Sequence, residues 1–160
     1  MPAAPRIRAA GPGDRGGLLQ LWLDLVEYHR RLDPDYPGVP CIREVLLKEI
    51  ERGVRTRSCQ LGVAQEGTQL VGFVFAEVER GAGPRHDGMG VGWIHELYVD
   101  PAWRQRGVAR ALLAFVDEFF EPRSPARISV RVESGNKDGL RFWLHRGFAE
   151  RERTLSRQRP

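Results

Sequence analysis

Cysteine is almost missing from this chain, and the two that occur stand alone. Cys41 and Cys59 form no C-x-x-C pair and have no histidine at ligand spacing, so neither a metal site nor a disulfide framework is supported. No run approaches the roughly 18 consecutive apolar residues of a membrane-spanning helix. The opening MPAAPRIRAAGPGDR lacks the apolar core of a signal peptide, so the chain is expected to be cytoplasmic and not membrane-bound. Lysine is scarce too: Lys48 and Lys137 are the only two, so arginine carries the net charge of +4. The arginines are scattered among acids, which disfavours a nucleic-acid surface as the main function. No Cys or Ser sits in a recognisable nucleophile setting, which argues against a covalent enzyme intermediate.

What is present centres on residues 93–121, WIHELYVDPAWRQRGVARALLAFVDEFFE. Residues 94–99 read as a buried strand, Asp100-Pro101 as a turn and 104–106 as a basic loop. Ala109, Leu112, Leu113, Val116 and Phe120 then recur at helical spacing until Pro122 ends the run. The first N–H groups of a helix have no partner inside it, and the aligned peptide dipoles place roughly half a positive charge there. Gly107 and Ala109 keep that end nearly free of side chains, so a phosphate oxygen can touch the backbone. Arg104 and Arg106 add fork-shaped donors, and the loop suits a pyrophosphate. It carries no Gly-Lys-Ser/Thr and is not G-x-G-x-x-G, which disfavours a nucleoside triphosphate or a dinucleotide.

Arg104-Gln105-Arg106-Gly107-Val108-Ala109 matches Arg/Gln-x-x-Gly-x-Gly/Ala, and with the preceding Leu97-Tyr98-Val99-Asp100-Pro101 it resembles the GNAT N-acetyltransferases. A second match is Asn136-x-x-Gly139-x-x-Phe142-Trp143-x-x-x-Gly147-Phe148, where that family usually reads Asn-x-x-Ala-x-x-Phe-Tyr-x-x-x-Gly-Phe. The resemblance implies that the 104–109 loop holds the pyrophosphate of acetyl-coenzyme A and that Leu97, Tyr98 and Val99 border its pantetheine arm. It implies that Asn136 bonds the pantetheine or phosphate end, beside its alternative role as a helix cap, and that Phe142-Trp143 lies beside the thioester. It further implies a sheet splayed open where strand 91–99 parts from strand 127–132, with unpaired N–H groups around Tyr98 and Val99. Gly139 is expected to let the cofactor pass close. Trp143 is a departure: a tyrosine hydroxyl there could protonate the leaving thiolate, and indole has no acidic proton. A thiol of pKa about 8.5 is a tolerable leaving group without help. Two readings therefore stand: an enzyme without a side-chain acid, or a weak or inactive acyl-CoA-binding regulatory module.

Along the rest of the chain, Ile7 marks a short strand, and Asp14 is expected to cap a helix over 14–30 with Leu18, Leu21, Trp22, Leu25 and Val26 inward. Three prolines and a glycine make 32–40 a rigid loop where an acceptor is chosen. A helix over 42–52 is expected to end at Gly53. Strands follow at 59–65 and 70–79, joined by a Glu66-Gly67 turn. Five glycines and a proline make 80–92 a flexible hairpin loop over the acceptor site. A strand at 127–132, a helix at 138–146 and a last strand from Phe148 into a frayed tail complete the order β-α-α-β-β-β-α-β-α-β. This is a single α/β domain over residues 1–160, a mixed and mostly antiparallel sheet flanked by helices, as the resemblance implies.

A lysine-like amine with a pKa of about 10.4 must lose a proton before it can attack, so a base is required. In a regular strand Ile94 would face away from Leu97 and Val99, and a bulge around His95-Glu96 would reconcile them and aim one of these side chains into the cleft. Glu96 is the preferred base, with His95 second and Glu133 third. Tyr28, His29, Asp33, Asp35 and Tyr36 cluster by sequence at the acceptor side, where acids and aromatics would suit a cationic amine; helix capping and loop solvation are the alternatives. The expected reaction moves an acetyl group from acetyl-coenzyme A to a small-molecule or peptide primary amine by direct attack. Pairing through the last strands makes a homodimer a further expectation of the resemblance.

Overall fold

β3 (Gln69–Glu79) is the strand around which the core closes, because Phe73 and Phe75 fill one face and Val74, Ala76 and Val78 the other. A strand buried on both faces needs a layer on each side. The computed structural model, which describes residues 4–36, 38, 40–80 and 90–157, supplies both layers. The sheet runs β1 (Arg6–Ala9), β2 (Cys59–Glu66), β3, β4 (Val91–Val99), β5 (Arg127–Val130) in spatial as in chain order. All neighbours are antiparallel except β4 and β5.

On one face lie α1 (Arg15–Leu32) and α2 (Ile42–Arg55), whose Leu18, Trp22, Leu25, Leu46 and Ile50 pack on Phe73, Phe75 and Tyr98. On the other lies α3 (Val108–Phe120), whose Leu112, Val116 and Phe120 meet Val74, Val78 and Ile94. The helical spacing read from the sequence thus becomes the inward stripe of α3. α4 (Lys137–His145) adds Trp143 to this second core.

Three expectations change. Asp14 stands at the start of α1, but its carboxylate does not cap the helix: it takes both arms of Arg8, at 2.7 and 2.8 Å, and the Gly11 N–H at 2.8 Å. Gly53 does not end α2. It lies inside the helix, where a Cβ would come within 3.1 Å of Leu61 and 3.2 Å of Phe75, so the residue is small to let helix and sheet approach. The last strand does not form among the described residues: 148–157 carry neither helix nor strand, and all but Phe148 are exposed. Glu150, Arg151, Glu152 and Arg153 offer no apolar face to bury, and the segment is held by Phe148 against Trp143, 5.0 Å between rings. The expected loop at 80–92 falls largely on residues 81–89, outside those described, as does His86; Val91 and Gly92 belong to β4.

Candidate active site

The pairing of β3 with β4 skips a residue: Phe75 is opposite Glu96 and Ala76 opposite Ile94, so His95 is the extra one. This is the bulge expected from the sequence. It keeps Ile94, Leu97 and Val99 on the α3 side and sends both His95 and Glu96 toward the α1 side. The two titratable groups then part company. His95 stacks near Phe75 and Trp93, and its Nε2 lies 3.2 Å from Oε2 of Glu77, which itself accepts from Arg52 at 2.8 Å. Burial alone would push Glu77 up, but the bonds from Arg52 and His95 outweigh it and hold its carboxyl below the usual range.

Glu96 is free of that network. Burial, reinforced by the charge of Glu133, pushes its carboxyl up to about 7, while a bond from the Trp22 side chain works the other way. A carboxyl poised there exchanges protons near neutral pH, which is what a general base requires.

β4 and β5 pair only from Val91↔Arg127 to Ile94↔Val130 and separate beyond. The expected splay is therefore present, although β5 is shorter than the expected 127–132. The N–H of Asp100 bonds the Val71 carbonyl on β3, and alternation along β4 then aims the N–H groups of Leu97 and Val99 into the gap. That of Tyr98 points to β3 instead, which corrects the expectation for this residue's backbone. The separation opens a cleft of about 1220 Å³ bounded by β4, the loop before α3, α4, the segment after β5 and the end of α1.

One end of the cleft is cationic. Gln105 and Gly107 both adopt left-handed backbone, φ 60° and 80°, and α3 begins at Val108 with no side-chain cap on its free N–H groups. Left-handed residues in such a turn bend successive N–H groups onto one concavity, an anion-binding form. Gln105 pays roughly 1–2 kcal/mol of strain for a conformation that glycine adopts freely. Arg106 stacks on Trp103 at 5.0 Å. Arg104 lies deeper than expected: its Nε donates to the Val99 carbonyl at 3.0 Å, and its guanidinium covers the rings of Tyr28 and Tyr98 at 5.4 and 5.8 Å. Arg110 lines the same end. Free N–H groups, a nearly bare helix terminus and several arginines fit the pyrophosphate of a coenzyme A thioester.

The other end carries the acids. Glu133 faces Glu96, His29 and Tyr36 closely enough for its charge to act on all three. Burial holds His29 below the usual imidazole range, with Glu133 pulling the other way, and burial with the two carboxylates pushes Tyr36 up. The rings of Tyr28, His29 and Tyr36 follow one another at 6.0 and 5.3 Å along this wall. Asp33 does not join them: its carboxylate accepts the Asp35 N–H at 2.9 Å in a local turn after α1, outside the cleft lining, and Asp35 is exposed.

Asn136 caps α4, its Oδ1 accepting from the Gly139 N–H at 2.9 Å and from the Tyr28 hydroxyl at 3.2 Å. A Cβ at position 139 would lie 2.5 Å from the Asn136 amide nitrogen, so Gly139 makes room for that cap, and it also lines the cleft. Trp143 is buried edge-on between Phe142 and Phe148 and borders the cleft. Two functional neighbours had no sequence signal: Trp22 reads only as core, and Glu77 meets His95 only once the β3–β4 register is known.

With this geometry in place, a family model described as "Acetyltransferase (GNAT) family" matches residues 22–148, and the chain belongs to that family. It is 36% identical over 59 residues, or 37% of its length, to an uncharacterized N-acetyltransferase of Methanocaldococcus jannaschii, and the match spans only about a quarter (26%) of that protein. Among solved structures it is similar to a tetramutant of the BH1408 protein from Bacillus halodurans, with TM-score 0.84, 17% identity, and 96% of this chain and 99% of that one covered. It is also similar to AAC(6')-Iy in complex with a bisubstrate analog, CoA-S-monomethyl-acetylneamine, with TM-score 0.75, 20% identity and 99% of each chain covered. A third is aminoglycoside antibiotic 6'-N-acetyltransferase AAC(6')-IG from Acinetobacter haemolyticus, with TM-score 0.75, 17% identity, and 97% and 98% covered.

Proposed function

We propose that this chain moves an acetyl group from acetyl-coenzyme A to a primary amine by direct attack, with Glu96 as the base. The observation that carries the reading is one cleft with bare N–H groups and arginines at one end and a carboxyl poised near neutrality at the other. The complex of AAC(6')-Iy with a coenzyme A bisubstrate analog supports the same cofactor here.

When bound, acetyl-coenzyme A supplies the acetyl group as a thioester whose carbonyl carbon is open to attack. The N–H groups of Gly107, Val108 and Ala109 with Arg106 and Arg110 hold the pyrophosphate, and Gln105 shapes the turn. The N–H groups of Leu97 and Val99 pair with the pantetheine arm and stabilise negative charge on the carbonyl oxygen. Tyr98 and Arg104 form the floor between the two ends, while Asn136 and Trp143 border the thioester side. Glu96 takes the proton of the incoming ammonium, the amine nitrogen bonds to the carbonyl carbon, and the C–S bond breaks. The thiolate leaves with the electron pair, the nitrogen sheds its second proton to water as it becomes an amide nitrogen, and water returns one to the thiolate, so the indole of Trp143 is no obstacle. His95, matched by Glu77, is not the base. Tyr28, His29 and Tyr36 orient the acceptor, and holding the reactants together is the larger contribution.

The test is titration of acetyl-coenzyme A into the wild type and Gly107→Glu, followed by thiol release with a panel of primary amines. Binding lost in the variant and amine-dependent thiol release in the wild type are expected. Binding without release from any amine would favour the regulatory module, and no binding would overturn the cofactor assignment.

A further inference from the structure

We infer that the acceptor carries two cationic nitrogens, one that reacts beside Glu96 and a second that pairs with Glu133 along the wall of Tyr28, His29 and Tyr36. The inference rests on the reading of Glu96 as the base and deepens it from "a primary amine" to a diamine or larger polycation.

Charge decides what this end of the cleft accepts. Glu96 shares the cleft with Tyr28 and His29 from α1, Tyr36 from the loop after it, His95 and Tyr98 on its own strand, and Arg131 and Glu133 beyond β5. The arginines nearby keep their charge but are held by other contacts. Arg104 is tied to the Val99 carbonyl, Arg131 lies over the Trp93 ring at 4.4 Å, and Arg52 serves Glu49 and Glu77. Arg30 acts on Tyr36 from the exposed side. His29 is held below its usual range by burial and brings no charge at neutral pH. Among the described residues no ion pair involves Glu133.

A monoamine brings one positive charge to this end, and that charge vanishes when Glu96 takes the proton. Glu133, exposed to solvent, then has no ion-pair partner throughout the reaction among the described residues, and before it Glu133 opposes ionisation of the very group that must act as base. A second ammonium beside Glu133 removes both difficulties. It persists through the transfer, and it favours the ionised form of Glu96 before the reaction starts. The substrate thereby helps to switch on its own base. The polarity of the whole cleft fits: an anionic cofactor enters at the arginine end, and a polycation meets the acidic end.

The experiment titrates α,ω-diamines of increasing length, from diaminoethane to diaminohexane, and the matching monoamines into coenzyme A-saturated wild type, Glu133→Gln and Glu96→Gln. The best diamine should bind the wild type about three- to fivefold more tightly than its monoamine, the effect of one solvent-screened ion pair. In Glu133→Gln that ratio should fall to about one, with coenzyme A affinity showing that the cleft is intact. In turnover, the midpoint of the kcat–pH profile should lie lower for the diamine than for the monoamine in the wild type, and the two should coincide in Glu133→Gln. No diamine exceeding its monoamine, or a preference that survives Glu133→Gln, overturns the inference. Undiminished turnover in Glu96→Gln overturns the assignment of the base alone, and the amine affinities still decide the question of the second cation.

Discussion

On the proposed reading, the phosphate end of the cleft would recognise its ligand with backbone N–H groups from one continuous run, 104–109, whereas the acceptor end would use side chains drawn from α1, the loop after it, β4 and the segment beyond β5. The first end is a local conformation, set by two left-handed residues and a helix terminus. The second exists only after the sheet has assembled. A phosphate is recognised in the same way wherever it occurs, so backbone suffices; an acceptor is chosen by charge placement, and side chains are needed for that. The two ends should therefore fail differently when changed.

The largest expected effect is at the acceptor end. Glu96→Gln should lower kcat by about 10²–10⁴-fold and leave affinity for acetyl-coenzyme A within about twofold, the split that separates chemistry from cofactor binding. In the wild type the rate should rise with pH through about 7, where Glu96 ionises, and this limb should be lost in the variant. At the phosphate end, Gly107→Glu should weaken acetyl-coenzyme A binding by about 10²-fold. It forces a β-carbon into a backbone of φ 80° and sets a carboxylate against the dipole that attracts phosphate. Isothermal titration reads both variants.

A smaller effect is expected behind the base. Glu77→Gln removes the charge that holds the His95 ring and should lower kcat by about tenfold with little change in cofactor affinity. The kcat–pH profile should change shape as the bond that holds the His95 ring is lost. An unchanged profile would mean that Glu77 only packs. The smallest effect is on stability. The folded chain holds the Glu96 proton more tightly than the unfolded chain, because its carboxyl is raised to about 7 from 4.5. The resulting stabilisation is complete below about pH 4.5 and is lost as pH rises through about 7. Thermal melts should show Tm falling between about pH 5 and pH 8 for this reason, and Glu96→Gln should flatten that decline.

The contrast also sets what could be read in advance. The 104–109 loop, the stripe of α3 and the bulge at His95-Glu96 follow from spacing within a few residues, and the structure has all three. The sequence prefers Glu96 to His95 without a physical reason that separates them; their partners, Trp22 and Glu77, come from other elements and announce nothing in sequence. Asp33 shows the converse: an acid in the right neighbourhood that its own turn consumes. Residues 11–16 go further, since GPGDRG fits G-x-G-x-x-G between β1 and α1. Yet β1 runs antiparallel to β2, and the Asp14 carboxylate turns back to the Gly11 N–H and Arg8, so the segment is a turn before α1 and not the parallel β-α unit that such a fingerprint needs. The missing last strand has the same origin as its prediction. A Phe148 followed by charge suggests an edge strand, but the next large apolar residue, Leu155, would fall on the opposite face of a strand and is exposed, so nothing holds the segment to the sheet among the described residues.

His95 has one more consequence. Remove it from β4 and Ile94, Glu96, Leu97, Tyr98 and Val99 alternate perfectly, with every core residue on its present face, so the hydrophobic arrangement does not need it. The pairing of β4 with β5 stops at Ile94, the residue immediately before it. A shortened protein without His95 should fold, continue zipping β4 onto β5 past Val130, and bury the Leu97 and Val99 N–H groups in a closed ladder. Hydrogen exchange would find those two amides newly protected and coenzyme A binding gone.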